Sequence, residues 1–288
     1  MTLEQTYREG RRRLEKAGID SPAFDAVCLF ERHFGMDRQG LILHRNEPAE
    51  EELSRRFFAD IDERAQGRPL QYLLGVWPFL DMELAVGEGV LAPREETELL
   101  VREGAARLRW EQPQAGDGAG LCIADLCSGS GAVALGLAGE FPAAFVRAVE
   151  WFPAAFGFLT ENIRRTGRAV EPVRLDVLRP ESAQGFEGLH LLAANPPYVA
   201  CGDIPSLQRE IQYEPRAALD GGGDGLVFYR AIAAHWVPCL ALGGVCAVEI
   251  GEDQAQAVSE LFRQAGLSRV EVTKDFNGFD RVVTAVKS

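Results

Sequence analysis

Asn195-Pro196-Pro197-Tyr198 closes the apolar run Leu189 to Ala194 and puts an unusual set of hydrogen-bonding groups at what reads as the end of a buried strand. A planar –NH2 group carries two N–H bonds in its plane and needs two acceptors to hold it flat. The Asn195 side-chain oxygen offers one and the Pro196 carbonyl the other, since every residue has a backbone acceptor. Consecutive prolines fix φ and resist helix, so the acceptors stay in place without a fresh ordering cost at each encounter. Tyr198 adds a flat face on which a planar group can lie. The chemistry is therefore the positioning of an amide or amine nitrogen. Asn195, Pro196 and Tyr198 are the catalytic candidates, and Pro197 completes the substrate-binding loop.

A second constellation lies upstream. Asp125-Leu126-Cys127-Ser128-Gly129-Ser130-Gly131 joins an apolar run to a helical stretch. Glycines let the backbone turn tightly and come close to a ligand, and a helix N-terminus presents free N–H groups. Glu150 ends the next apolar run, 19 residues beyond Gly131, where an acidic residue accepts the hydroxyls of an adenosine ribose. Asp176 ends the third run, beside Val177, and can read an adenine amine. Gly129 to Ala134 fits the relaxed G-x-G-x-x-G/A pattern, so a nicotinamide dinucleotide competes for the site, although one such match is weak. Asp125 opens the loop within reach of a ligand ammonium. A carboxylate there suits the ammonium of S-adenosylmethionine and repels a pyrophosphate. With Asn195 at the fourth strand, the balance favours S-adenosylmethionine as the cofactor.

The elements that position these residues follow from periodicity. Residues 1–75 read as helices without strands: Leu3 onward, Ser21-Pro22 through Phe34 with Gly35 as a stop, and Pro48 to Ala65. Residues 76–93 form a hairpin-like linker, and a catalytic domain spans 94–288. There a helix from Glu95 to Trp110 precedes strands at Leu121–Leu126, Phe145–Glu150, Pro172–Val177, Leu189–Ala194 and Val245–Ile250. Helices are expected at Ala132–Glu140, Pro153–Thr166, Leu226–Pro238 and Gln254–Ala265. The alternation predicts a parallel sheet wrapped by helices, closed by an antiparallel pair, Val270–Phe276 and Arg281–Val286.

Composition narrows the function classes. The 47% hydrophobic and 25% charged content is that of a globular chain. No apolar stretch is long enough to span a membrane, and the opening Met1-Thr2-Leu3-Glu4-Gln5 lacks the apolar core of a secretory leader, so the cytoplasm is expected. Six cysteines without a CxxC pair and four histidines without HExxH argue against a metal site. The thiols read as small core residues, apart from Cys127 in the glycine loop. Charge is uneven: residues 1–80 hold 12 Lys/Arg against 14 Asp/Glu, residues 81–288 hold 18 against 29. An acidic catalytic half disfavours stable binding to a phosphate backbone. Arg8, Arg11, Arg12 and Arg13 on the first helix read as a solvated face, with docking of an acidic partner as the alternative.

Taken in order, these motifs resemble the HemK/PrmC family of class I methyltransferases, which methylate the side-chain amide nitrogen of a glutamine in peptide-chain release factors. The likeness also covers Gly67-Arg68-Pro69-Leu70-Gln71-Tyr72-Leu73-Leu74-Gly75, Leu91-Ala92-Pro93-Arg94-Glu95-Glu96-Thr97-Glu98, Tyr213-Glu214-Pro215-Arg216-Ala217-Ala218-Leu219 and Gly278-Phe279-Asp280-Arg281-Val282. It implies an α/β fold: a class I, Rossmann-like S-adenosylmethionine-dependent methyltransferase sheet with a small N-terminal helical domain that holds the protein substrate. It also implies that Arg94, Thr97 and Glu98 line the site mouth, with Arg94 and Glu98 as substrate-binding residues. A monomer is expected. Three positions depart from the family: Cys127 where glycine is usual, Glu150 where Asp is common, and Val177 where some members carry an aromatic. The rivals are a methyltransferase acting on adenine N6 or guanine N2 of a nucleic acid, and a protein that binds cofactor or partner without turnover.

Overall fold

The first turn of the chain is fixed by a reciprocal cap. Thr2 accepts from the Gln5 N–H while the Gln5 side chain accepts from the Thr2 N–H, which starts α1 (Leu3–Lys16). A computed structural model describes residues 1–288 and divides them into two compact units, 1–76 with 208–213, and 77–207 with 214–288. In the first unit, α1 is followed by α2 (Pro22–Phe34), α3 (Arg38–His44), α4 (Glu51–Ala65) and α5 (Leu70–Leu74). Pro22 sits in the first turn of α2, and Gly35 ends it in the left-handed region at φ 65°. The short helices α3 and α5 are additions to the sequence expectation, started by the Asp37 side chain on the Gly40 N–H and stopped by Gly75.

Phe30 and Phe57 are fully buried in the core of this unit, with ring centroids 5.7 Å apart, and the half-buried Phe34 stacks on Phe30 at 4.3 Å. A Cβ on Gly10 would lie 2.5 Å from the Phe57 ring, so glycine is what allows α1 and α4 to meet. Arg64, nearly fully buried, donates to Asp25 (2.6 Å) and to Glu210 (2.7 Å), which pins the 208–213 segment to the helices. The arginines of α1 pair with acids of the same unit: Arg8 with Glu4, Arg11 with Glu15, Arg12 with Glu9, and Arg13 with Glu9 and Asp62.

A hairpin of β1 (Val76–Phe79) and β2 (Met82–Ala85) begins at the last residue of the first unit's 1–76 stretch, and α6 (Glu95–Glu111) follows in the second unit. Its sheet is built from β3 (Cys122–Leu126), β4 (Phe145–Val149), β5 (Val170–Val173), β6 (Leu189–Ala194), β7 (Leu240–Glu249), β8 (Leu267–Lys274) and β9 (Asp280–Lys287), in the order β5-β4-β3-β6-β7-β9-β8. The first five strands run parallel, and β9 pairs antiparallel with both β7 and β8. Helices α7 (Ala132–Glu140), α8 (Pro153–Thr166), α9 (Val227–Ala231) and α10 (Ala255–Gln264) complete the unit. Both sheet faces are covered, so β3 and β6 read as near-continuous apolar runs.

Three expectations need correction. The third strand ends at Val173, so Leu175, Asp176 and Val177 lie beyond it: β5 is an edge strand paired only with β4, and nothing holds those residues in a ladder. The helix expected over Leu226–Pro238 is α-helical only to Ala231, then widens into a π-turn over Ile232–Trp236 and tightens into a 3-10 turn over Val237–Cys239, where Pro238 has no N–H to continue the α-helix. Of the six cysteines only Cys239 and Cys246 are buried, because Cys28, Cys122 and Cys127 sit at partly open positions and Cys201 lies on an exposed loop.

Candidate active site

Strand order reverses between β3 and β6, and in open α/β sheets the crevice beyond the C-terminal strand ends at such a point is where ligands bind. A cavity of ≈ 260 Å³ opens there. Its lining brings together Asp125, Cys127, Ser128, Gly129, Ser130, Glu150, Asp176, Val177, Arg94, Thr97, Asn195 and Pro197, contributed by five separate stretches of chain.

At one end, the glycine loop leaves β3. Cys127 takes up left-handed backbone at φ 56°, which explains why a glycine suits this position. Gly131 at φ 86° starts α7, and a Cβ there would come within 2.6 Å of Leu159. Asp125 is 1% exposed; its Oδ2 accepts from the Ala134 N–H at 3.1 Å, while its Oδ1 has no hydrogen-bond partner. Burial pushes its carboxyl up to about 7. Glu150 follows β4 and accepts from the Gly129 N–H (2.9 Å) and the Phe152 N–H (2.7 Å), one to each oxygen. Burial raises its carboxyl too, against those two bonds. Asp176 accepts from the Leu178 N–H at 3.0 Å. The Val177 carbonyl receives the Trp236 indole N–H at 3.0 Å.

At the other end is the loop after β6. Pro196 and Pro197 are buried. Gln254 donates to the Tyr198 carbonyl (2.9 Å), and a Cβ on Gly225 would stand 2.4 Å from that same oxygen. The Asn195 Nδ2 donates to Thr97 Oγ1 at 3.1 Å, and Thr97 Oγ1 donates to Glu249 Oε2 at 2.7 Å. Asn195 lines the cavity, and with its NH2 given to Thr97 the amide oxygen remains as its acceptor. Tyr198 lies outside the lining; its hydroxyl donates to Glu249 Oε1 at 3.4 Å, so the ring is turned toward the β7 carboxylate. Burial lifts the Tyr198 phenol, and pushes Glu249 up to about 7.

Two residues expected at the mouth behave differently. Arg94 lines the cavity but is held by the buried Glu214, whose other oxygen accepts from the Ala92 N–H at 3.1 Å. Glu98 is not in the lining: Leu80 N–H (2.8 Å) and Arg102 (2.7 Å) take its carboxylate instead. Arg281 pairs with the buried Asp275 at 3.0 Å and donates to the Ile250 carbonyl. Sequence reasoning missed Glu249, Gln254 and Asn162. The last donates to the Ala85 and Ser130 carbonyls and accepts from the Ala85 N–H, tying β2 to the glycine loop. Glu249-Ile250-Gly251 at the end of a strand was the available signal, an acid at the same level as Asn195.

The strand order, the glycine loop and the acidic residue after β4 define a class I methyltransferase fold. A T. thermophilus 16S rRNA N2 G1207 methyltransferase, solved with AdoMet and guanosine, superposes with a TM-score of 0.50 at 19% identity over 74% of this chain and 50% of that one, a likeness of fold alone. Residues 5–75 match the model of the PrmC N-terminal domain. The release factor glutamine methyltransferase of Moorella thermoacetica is 38% identical over 100% of this chain and 99% of its own length. That of Geobacter sulfurreducens is 35% identical over 98% and 95%. The chain belongs to the release factor glutamine methyltransferase family.

Proposed function

We propose that this protein transfers a methyl group from S-adenosylmethionine to the side-chain amide nitrogen of a glutamine in peptide-chain release factors. The observation that carries the reading is the Asn195 amide, which lines the cavity with its NH2 engaged by Thr97, leaving its oxygen as the acceptor for a substrate N–H. The cavity fits the cofactor. Asp125 keeps one buried carboxylate oxygen free for an ammonium. Glu150 retains a lone pair on each oxygen for ribose hydroxyls. Asp176 and Val177 stand where an adenine amine and ring face are expected, and Cys127, Ser128, Gly129 and Ser130 supply close backbone. When bound, the cofactor supplies an electrophilic methyl on a sulfonium sulfur.

The rest is done by the chain. An amide nitrogen is a poor nucleophile because its lone pair is delocalised into the carbonyl. The Asn195 oxygen and the Pro196 carbonyl accept its two N–H bonds, shift electron density onto nitrogen and hold it in line for transfer. Orientation of this kind can supply about 7–11 kcal/mol of a barrier at most. The nitrogen acidifies only as the new bond forms, so Asn195 positions and polarises and does not act as a base. The helical unit, with Phe24, Ile42 and Leu43 exposed, recruits the release factor. The acidic balance of residues 81–288 supports a protein substrate over a nucleic acid. No helix is long and apolar enough to cross a membrane; a release-factor substrate places the action in the cytoplasm, and we take the protein to act as a monomer.

Incubation with labelled S-adenosylmethionine and a recombinant release factor, followed by mass spectrometry, tests the reading. One added methyl on a single glutamine is expected. Label on co-added RNA and none on protein would overturn it in favour of a nucleic-acid amine methyltransferase.

A further inference from the structure

Asn195 is useful only in one orientation of its amide. With the oxygen toward the cavity it accepts a substrate N–H; turned over, it would present an NH2 to another NH2 and repel it. The side chain's own geometry does not choose between the two, because O and N are nearly the same size. Something outside Asn195 must choose.

The chooser is visible in the bonds around it. Thr97, at the third position of α6 and 4% exposed, stands between Asn195 (3.1 Å) and Glu249 (2.7 Å). Glu249 ends β7, directly beside the end of β6, since Val248 pairs with Ala194. A hydroxyl has one proton to give. An ionised carboxylate only accepts, so Thr97 must turn its proton to Glu249 and its lone pair to Asn195. Only the Asn195 NH2 satisfies that lone pair, and the oxygen is left facing the cavity. A neutral Glu249 can donate instead, which allows Thr97 to point its proton at Asn195 and favours the unproductive face.

Resting on the function proposed above, we infer that Glu249 and Thr97 are positioning residues that set the polarity of the Asn195 amide, and that turnover requires Glu249 in its carboxylate form. The groups that face Glu249 agree with a poised carboxylate. From α6 come Thr97 and the like charge of Glu96; from the loop after β6, the Tyr198 hydroxyl; from β9, the Arg281 cation; from α9, the Tyr229 hydroxyl, which donates to the Glu249 backbone carbonyl at 2.7 Å. Burial outweighs the favourable contacts and places the titration at about 7. The carboxylate form is lost as pH falls through that value, and turnover falls with it.

The test is kcat against pH from 6 to 9 at saturating cofactor and release factor, for the wild type, Thr97→Val, Thr97→Ser and Glu249→Gln, with cofactor affinity measured alongside by calorimetry. The wild type is expected to lose turnover below about pH 7. Thr97→Val should lower kcat roughly 100-fold with cofactor affinity little changed, as for a misplaced reacting group. Thr97→Ser, which keeps the hydroxyl, should restore most of the rate, and Glu249→Gln should be slower with no acid limb. An acid limb unchanged in Glu249→Gln, or full turnover by Thr97→Val, would overturn the inference while leaving the methyltransferase reading intact. Should Thr97→Val not bind cofactor, the acid limb of Glu249→Gln against the wild type decides alone. A wild type that never methylates the release factor would sink both.

Discussion

The glycine loop after β3 and the Asn-Pro-Pro-Tyr loop after β6 leave adjacent strands, yet they handle buried polarity in opposite ways. Each has a carboxylate pushed up to about 7 by burial, Asp125 on one side and Glu249 on the other. Asp125 leaves an oxygen with no partner. Glu249 has both oxygens engaged, by Thr97 and Tyr198. A buried acceptor without a partner costs free energy, so the first arrangement makes sense as a place kept for a cation from outside. The second satisfies its polarity internally, and on the inference above this fixes the direction in which Asn195 faces. On the proposed function, the first end is suited to receive the cofactor and the second to be set before the substrate arrives.

Substitutions sharpen that contrast. The largest effect belongs to Asn195→Ala, which should cut kcat by about 10²–10³-fold, the scale seen for a single positioned hydrogen-bonding group, with cofactor affinity nearly unchanged. Rapid-quench single turnovers and calorimetry on the same preparation would read both, and equal single-turnover rates would contradict the assignment. Asp125→Asn should show the reverse pattern. Cofactor affinity should fall about 10- to 100-fold, as for loss of a hydrogen bond to a charged group, and kcat should recover at saturation. The pH dependence follows from the sign of the shift. With its carboxyl raised from 3.8 to about 7, Asp125 takes up a proton as pH falls through about 7, so wild-type affinity should weaken there and the Asn variant should stay flat. The same shift means that charging Asp125 costs stability of the ligand-free protein as pH rises from about 4 to about 7.

Two smaller effects test the supports. Asn162→Ala removes three bonds between β2, α8 and the glycine loop and should cost about 1–3 kcal/mol in denaturant unfolding. A neutral result would mean that solvent replaces those bonds. Cys127→Gly should stabilise the loop by about 1 kcal/mol, since φ 56° strains any side chain, offset in part by the freer unfolded chain. Cofactor affinity should rise slightly; a loss would show that the Cys127 side chain packs usefully against the ligand.

Much of the molecule was legible in the sequence. Strand β6, helices α7 and α8, and α2 with its Gly35 stop fall at the expected residues because apolar runs and end signals coincide there. The glycine loop and Asn195 were legible as local motifs. Segments decided by distant packing were not. The residues after Val173 look like strand but leave the ladder at a sheet edge. Thr97 was legible only as a residue of the site mouth, and the fold alone shows it turned inward onto Glu249, 152 residues further along the chain. Nothing in the local pattern of Gln208–Tyr213 announces that it packs with the helical unit through Glu210 and Arg64.

The most direct test of the clamp is a crystal structure of the protein with S-adenosylhomocysteine and a glutamine-containing release-factor peptide. The glutamine amide nitrogen should lie within hydrogen-bond distance of both the Asn195 side-chain oxygen and the Pro196 carbonyl, with its free face toward the sulfur. A glutamine bound elsewhere, or an Asn195 amide with its nitrogen toward the substrate, would contradict it.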